Sequence, residues 1–198
     1  LAPGDPALAA AFAYEDACID HTGDGIHAIQ FLSALESMAF TEAEIPRLVE
    51  KALRFLPEES LLRRAVADTV RWCEAGIFAE VREKIMAHYG SENFTDVKMN
   101  LAFEVAALLL GGGDFEKSVC LAVNFGQDTD CTGATVGAIL GLLHNGIIPE
   151  KWRTPIGNKI VLSPEIIGIR PPATLDEFTD LVTGLKDKVR LVAPGETP

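Results

Sequence analysis

The chain has 198 residues, 48% of them hydrophobic and 23% charged, which excludes a disordered or fibrous polypeptide and allows a sizeable core without staples. Its 17 Lys and Arg against 29 Asp and Glu give a formal net charge of -12, a balance that speaks against nucleic-acid or anionic-membrane binding and permits binding of metal cations. An aromatic content of 7% offers no base-stacking platform, and no apolar run is long enough to span a membrane.

Helix signals run along the whole chain. Asp5 before Pro6 predicts a capped helix start, with Leu8, Phe12, Ala13, Cys18 and Ile19 on a stripe that leads to the turn His21-Thr22-Gly23-Asp24-Gly25. A second helix is expected from about Ile26 to Phe40. Thr41-Glu42-Ala43-Glu44 has the form of a capping box and predicts a third, ending near Leu56-Pro57. Glu58 to Ala75, Phe78 to Tyr89 and Val97 to Leu110 read as three more, the last apolar nearly all round and hence buried.

Asp114 caps a helix that runs to about Val123, and the polar segment Asn124 to Asp130 leads into a helix from about Cys131 to Asn145. Beyond Gly146, Pro149, Pro155, Pro164, Pro171 and Pro172 break any long element, leaving room for an extended or hairpin segment near Lys159 to Leu162. Thr174-Leu175-Asp176-Glu177 is a second capping box that opens a last helix to about Leu191, and the tail from Ala193 is expected to fray. No period-two pattern lasts beyond a few residues. The expected fold is all-α, one domain over residues 1–198 with eight or nine helices.

Cys18, Cys73, Cys120 and Cys131 lie far apart without a C-x-x-C pair. They read as reduced thiols of an intracellular, cytoplasmic protein, since neither a disulfide framework nor a signal-peptide pattern is present. The opening Leu-Ala-Pro-Gly-Asp-Pro reads as a loop met in mid-protein, the first sign of a longer chain.

Asp128 and Asp130 are the sharpest chemical feature. Two carboxylates two residues apart in a tight loop can converge on one hard cation, which takes oxygen donors. The same pair can be read as helix caps that favour the positive end of the following helix, and spacing alone leans that way. The position of the loop between two apolar helices pulls back, because unscreened carboxylates at the rim of a core repel each other. Gly133, Gly137 and Gly141 follow at four-residue spacing, each costing roughly 1 kcal/mol against alanine inside a helix. They predict a face that another helix backbone approaches closely and, as a consequence, a rigid Asp128–Asp130 loop.

The run Asn-Phe-Gly-Gln-Asp-Thr-Asp-Cys-Thr-Gly-Ala-Thr-Val-Gly-Ala-Ile-Leu-Gly from Asn124 to Gly141, followed by Ile-Ile-Pro-Glu-Lys-Trp from Ile147 to Trp152, closely resembles the ADP-ribosylglycohydrolase family. That family's hallmark is Gly-x-Asp-Thr-Asp-Thr opening a glycine-rich helix, then Ile-Pro-x-x-Trp. The turn Asp20 to Gly25 and the segment Leu110 to Phe115 are similar to it as well. The resemblance covers essentially the whole chain, as the C-terminal two-thirds of such an enzyme. It implies an orthogonal multi-helix bundle and a hydrolase that cleaves the glycosidic bond between ADP-ribose and an acceptor, working at two Mg²⁺ ions. By the same resemblance Asp128 and Asp130 are metal ligands, Asn124, Phe125, Gly126 and Gln127 line the ADP-ribose cleft, and His21 sits on its ribose or phosphate side. His27, His88 and His144 carry no such role.

Two departures stand out. The family's metal-binding threonine after the second aspartate is replaced by Cys131, a poor donor for Mg²⁺ because soft sulfur suits zinc or copper(I). Either Thr132, one place on, or a water is expected to take the position, or the second metal binds weakly. The family's early Thr-Asp-Asp cluster and its acid/base carboxylate are also absent from this sequence. The chain is therefore expected to supply part of the metal shell and much of the nucleotide cleft. Its partners are then the N-terminal part of the same fold and an ADP-ribosylated protein or ADP-ribose derivative. The alternative is a non-catalytic ADP-ribose-binding or crystallin-like relative.

Overall fold

Ten α-helices and one short 3-10 turn form the regular structure of residues 2–185, which the computed structural model describes. They are α1 (Pro6–Ala17), α2 (Asp24–Ala39), α3 (Ile45–Ala52), α4 (Leu61–Cys73), α5 (Phe78–Tyr89), α6 (Val97–Gly111), α7 (Phe115–Phe125), α8 (Thr129–Leu143), α9 (Glu150–Ile156) and α10 (Leu175–Leu185). The architecture is all-α, and the only β pairing among the described residues is an isolated bridge, Lys159 with Thr174. Contacts gather residues 2–148 into one unit and the described residues from 149 to 185 into another. Among the described residues no helix is long and apolar enough to cross a membrane, and all four cysteines are free.

Side-chain caps set several helix starts. Asp5 accepts the Leu8 amide, Ser60 the Arg63 amide, Asp96 the amides of Lys98 and Met99, and Asp114 the Lys117 amide. The capping box expected at Thr41 does not open a helix. The Thr41 hydroxyl donates back to the Met38 carbonyl at 3.2 Å, and α3 starts only at Ile45, with Pro46 in its first turn. A helix begun at Thr41 would have put Pro46 in its interior, where the ring clashes with the preceding turn. At the second box the expectation holds, with Glu177 N–H donating to Thr174 Oγ1 at 3.2 Å and the Glu177 carboxylate accepting the Ala173 N–H at 2.7 Å. The remainder of the last expected helix, beyond Leu185, lies outside the described residues. The short helix α9 was not foreseen. It begins directly after Pro149 and tolerates Pro155 near its end.

α6 is the central helix of the first unit, as its apolar sequence implies. Eleven of its 15 residues are buried, and it packs against α2, α3, α4, α5, α7 and α8. Phe103 of α6 stacks on Phe125 of α7 with ring centroids 4.9 Å apart, and Phe78 of α5 tilts against Phe125 at 4.7 Å. Among the glycines, the tightest approach to another helix is at Gly111, where an added Cβ would fall 1.8 Å from Ser118 Oγ and 2.9 Å from Ser118 Cα of α7. The glycine stripe of α8 is looser than its spacing suggests. A Cβ added at Gly133 or Gly137 would lie 3.3 or 3.9 Å from the side chain of Val123 or Val119, and one at Gly141 would lie 3.5 Å from Ile148, with no backbone of another element within 4 Å.

Candidate metal and sugar site at the start of α8

Only Gly126, Gln127 and Asp128 separate α7 from α8, a tighter link than the seven-residue loop expected from sequence. Gly126 (φ 85°) and Gln127 (φ 65°) both lie in left-handed space, which reverses the chain within two residues. Glycine adopts that conformation freely; glutamine does so only where its surroundings hold it. Two side chains from other helices do the holding. Arg82 of α5 donates from Nε to the Phe125 carbonyl at 2.9 Å. Asn100 of α6 accepts the Asp128 N–H on Oδ1 at 3.4 Å, while its Nδ2 donates to the carbonyls of Phe94 (2.8 Å) and Asp96 (3.0 Å).

Asp128 occupies the N-cap position of α8, yet its side chain makes no capping bond. It is instead drawn to its neighbours. Ligand atoms of Asp128, Asp130 and Cys131 all lie within 4.8 Å of one another, with Asp128 half-buried and the other two exposed. The Cys131 thiol donates to the Asp128 carboxylate; this bond, then burial and the surrounding carboxylates, pushes the thiol pKa up. Among the described residues no lysine or arginine forms an ion pair with either aspartate. Two carboxylates brought together with no cationic side chain suit a divalent cation.

Asp128 and Cys131 also line a cavity of about 220 Å³. One wall is a face of α2, formed by Gly25, Ala28, Ile29 and Leu32; the opposite wall is a face of α6, formed by Val97, Asn100, Leu101 and Glu104. Both sets have the i, i+3, i+4, i+7 spacing of a single helix face. His21 stands before α2, its Nδ1 hydrogen-bonded to the Asp20 carboxylate. Gly25 leaves room for it, since a Cβ there would lie 3.1 Å from the imidazole Cδ2.

Glu104 is the residue that sequence reasoning missed. It is only 6% exposed, and burial pushes its pKa up to about 8, with the Asp128 and Glu36 carboxylates adding and the Thr135 hydroxyl opposing. Reading Val97 to Leu110 as apolar all round hid it. The available signal was one acid in that run, four residues after Asn100 and so on the same helix face.

The expected site residues separate by position. His21 and Asp128 line the cavity, and Asp130 joins Asp128 in the carboxylate group. Gly126 and Gln127 form the half-buried link, and Asn124 is exposed on the last turn of α7. Phe125 is 0% exposed and belongs to the aromatic core, where it cannot line a cleft. Thr132 is likewise fully buried, its hydroxyl directed to the Thr129 carbonyl at 3.5 Å, so Cys131 rather than Thr132 stands beside the aspartates. His144 holds the Gly113 carbonyl at 2.8 Å, a structural contact.

Against known proteins, the family model described as ADP-ribosylglycohydrolase matches residues 1–188. No curated protein and no solved structure gives a match.

Proposed function

The chain belongs to the ADP-ribosylglycohydrolase family, and from that premise we propose that it acts in hydrolysing the glycosidic bond between ADP-ribose and an acceptor such as a protein side chain. The observation that carries this reading is convergence: His21, Asn100 and Asp128, distant in sequence, share one cavity with a carboxylate pair beside it. At about 220 Å³ the cavity is smaller than the ~300–1,000 Å³ of pockets that enclose a drug-sized ligand, so it takes a ribose ring rather than the whole of ADP-ribose.

Asp128 and Asp130 hold a divalent cation in this proposal. Two carboxylates suit Mg²⁺, the ion the resemblance implies, whereas the adjacent thiol does not. An ion held by these two carboxylates would supply Lewis-acid stabilisation of an oxocarbenium-like transition state. His21 holds a ribose hydroxyl or phosphate oxygen at the α2 side, and Asn100 and Arg82 keep the carboxylate link in one orientation. Attack on the glycosidic carbon needs a carboxylate to activate water. The free cysteines fit a reducing compartment, the cytoplasm.

The test is release of ADP-ribose from an ADP-ribosylated protein by the full-length product and by its Asp128→Asn variant. A loss of about 100-fold or more is expected; equal release removes the metal role. Cys131 favours a second reading, a non-catalytic relative. It predicts ADP-ribose binding without release in both proteins.

A further inference from the structure

Building on the proposed function, we propose that Glu104 is the residue that reads the sugar. Its carboxyl accepts a hydroxyl of the ribose seated in the cavity and so selects a sugar that carries this hydroxyl over its deoxy counterpart. The first support is position. Glu104 is more than nine-tenths buried, and it lines the same cavity as His21 and Asp128. A carboxyl taken out of water costs free energy unless hydrogen bonds replace its hydration. Among the described residues it has no lysine or arginine ion-pair partner, and the Thr135 hydroxyl hydrogen-bonds to it. One hydroxyl fills one of the roughly four lone-pair sites of a carboxylate. A neutral carboxyl also keeps an accepting carbonyl oxygen, so the contact does not depend on where the proton is.

The second support is the two-sidedness of the cavity. Its α2 wall offers Ala28, Ile29 and Leu32, whose side chains carry no polar atom, whereas its α6 wall offers Asn100 and Glu104. Asn100 is already committed. Its Nδ2 donates to the carbonyls of Phe94 and Asp96, and its Oδ1 accepts the Asp128 N–H. Glu104 is therefore the polar side chain of that wall with acceptor capacity to spare. A ribose ring has the matching division, with carbon–hydrogen bonds on its faces and hydroxyls on its rim. Ring carbons against Ala28, Ile29 and Leu32 and a rim hydroxyl on Glu104 give both walls of the 220 Å³ cavity a partner of their own kind. Because the acceptor is buried, a sugar without that hydroxyl leaves it unpaired, and this penalty is the source of the selectivity.

The experiment is calorimetric titration of the full-length product, in Mg²⁺, with ADP-ribose and with two analogues whose terminal sugar lacks the 2- or the 3-hydroxyl. Wild type is expected to bind at least one analogue about tenfold or more weakly than ADP-ribose. Glu104→Met keeps the length of the side chain without an oxygen. It is expected to lose about tenfold in affinity for ADP-ribose and to hold that analogue no more weakly than wild type does, so that the discrimination disappears. Glu104→Gln, which keeps a carbonyl acceptor, is expected to restore it. The proposal is overturned if wild type binds both analogues as it binds ADP-ribose, if Glu104→Met still discriminates, or if Glu104→Met weakens all three ligands alike, the mark of a merely structural acid. Any of these results beside a loss of release in Asp128→Asn leaves the proposed function standing. A wild type that neither binds nor releases ADP-ribose sinks both.

Discussion

Consecutive helices α7 and α8 begin with the same residue and use it in opposite ways. Asp114 folds its carboxylate over the start of α7 and accepts the Lys117 N–H at 2.7 Å, the usual work of an N-cap. Asp128 holds the same position on α8 but makes no capping bond, and meets Asp130 and Cys131 instead. An aspartate engaged by the backbone is structural. One withheld from it, on a link clamped by Arg82 and Asn100, is available to a ligand. Residue type and position cannot separate the two; the partner of the side chain does.

Four substitutions sharpen or break this contrast. Asp128→Asn is expected to lower ADP-ribose release by about 100-fold or more while leaving thermal stability nearly unchanged, because no cap is lost. A large fall in melting temperature would instead make Asp128 structural, like Asp114. The next effect belongs to Glu104. Its folded pKa near 8 lies above the ordinary glutamate value, so its contribution to stability is fully present below about pH 4.5 and is lost as pH rises to about 8. Melting temperatures across that window should fall in metal-free wild type, by an amount equivalent to a few kcal/mol at most, on the order of the linked shift. Glu104→Gln should flatten the profile, and a parallel profile in the variant would contradict the assignment.

Asp114→Ala is expected to cost about 1 kcal/mol in denaturant unfolding with no change in the rate of release. A loss of activity at unchanged stability would erase the distinction between the two aspartates. The smallest effect is at Gly137, where an added Cβ would meet only Val119 at 3.9 Å. Gly137→Ala should raise stability by up to about 1 kcal/mol through helix propensity alone. Destabilisation there would restore the close backbone approach that the glycine spacing implied.

Much of the fold was legible because local chemistry dictated it. Asp5 and Asp114 cap the apolar runs they precede, and the apolar character of α6 matches its central place. The Thr41 box misled because Pro46 overrode it, a conflict visible only when both signals are weighed over one turn. The glycines show the limit of spacing. A Cβ added at any of the three in α8 would meet only a side chain, whereas one at Gly111, last in α6, would collide with both the side chain and the Cα of Ser118 in α7. In the site, Asp128, Asp130 and His21 were marked by their motifs. Glu104 was not, because a single acid in a buried helix acquires meaning only when the helix faces opposite it are known. Phe125 and Thr132 sit inside the motif but point into the core, since alternate positions around a helix terminus cannot all face solvent.

The most direct test of the account is crystallographic: crystals soaked with a divalent cation and ADP-ribose, with anomalous scattering locating the ion. The account predicts one peak between the carboxylates of Asp128 and Asp130, with a ribose ring on its cavity side facing His21. An aspartate pair splayed into solvent, with neither ion nor sugar between α2 and the start of α8, would contradict it.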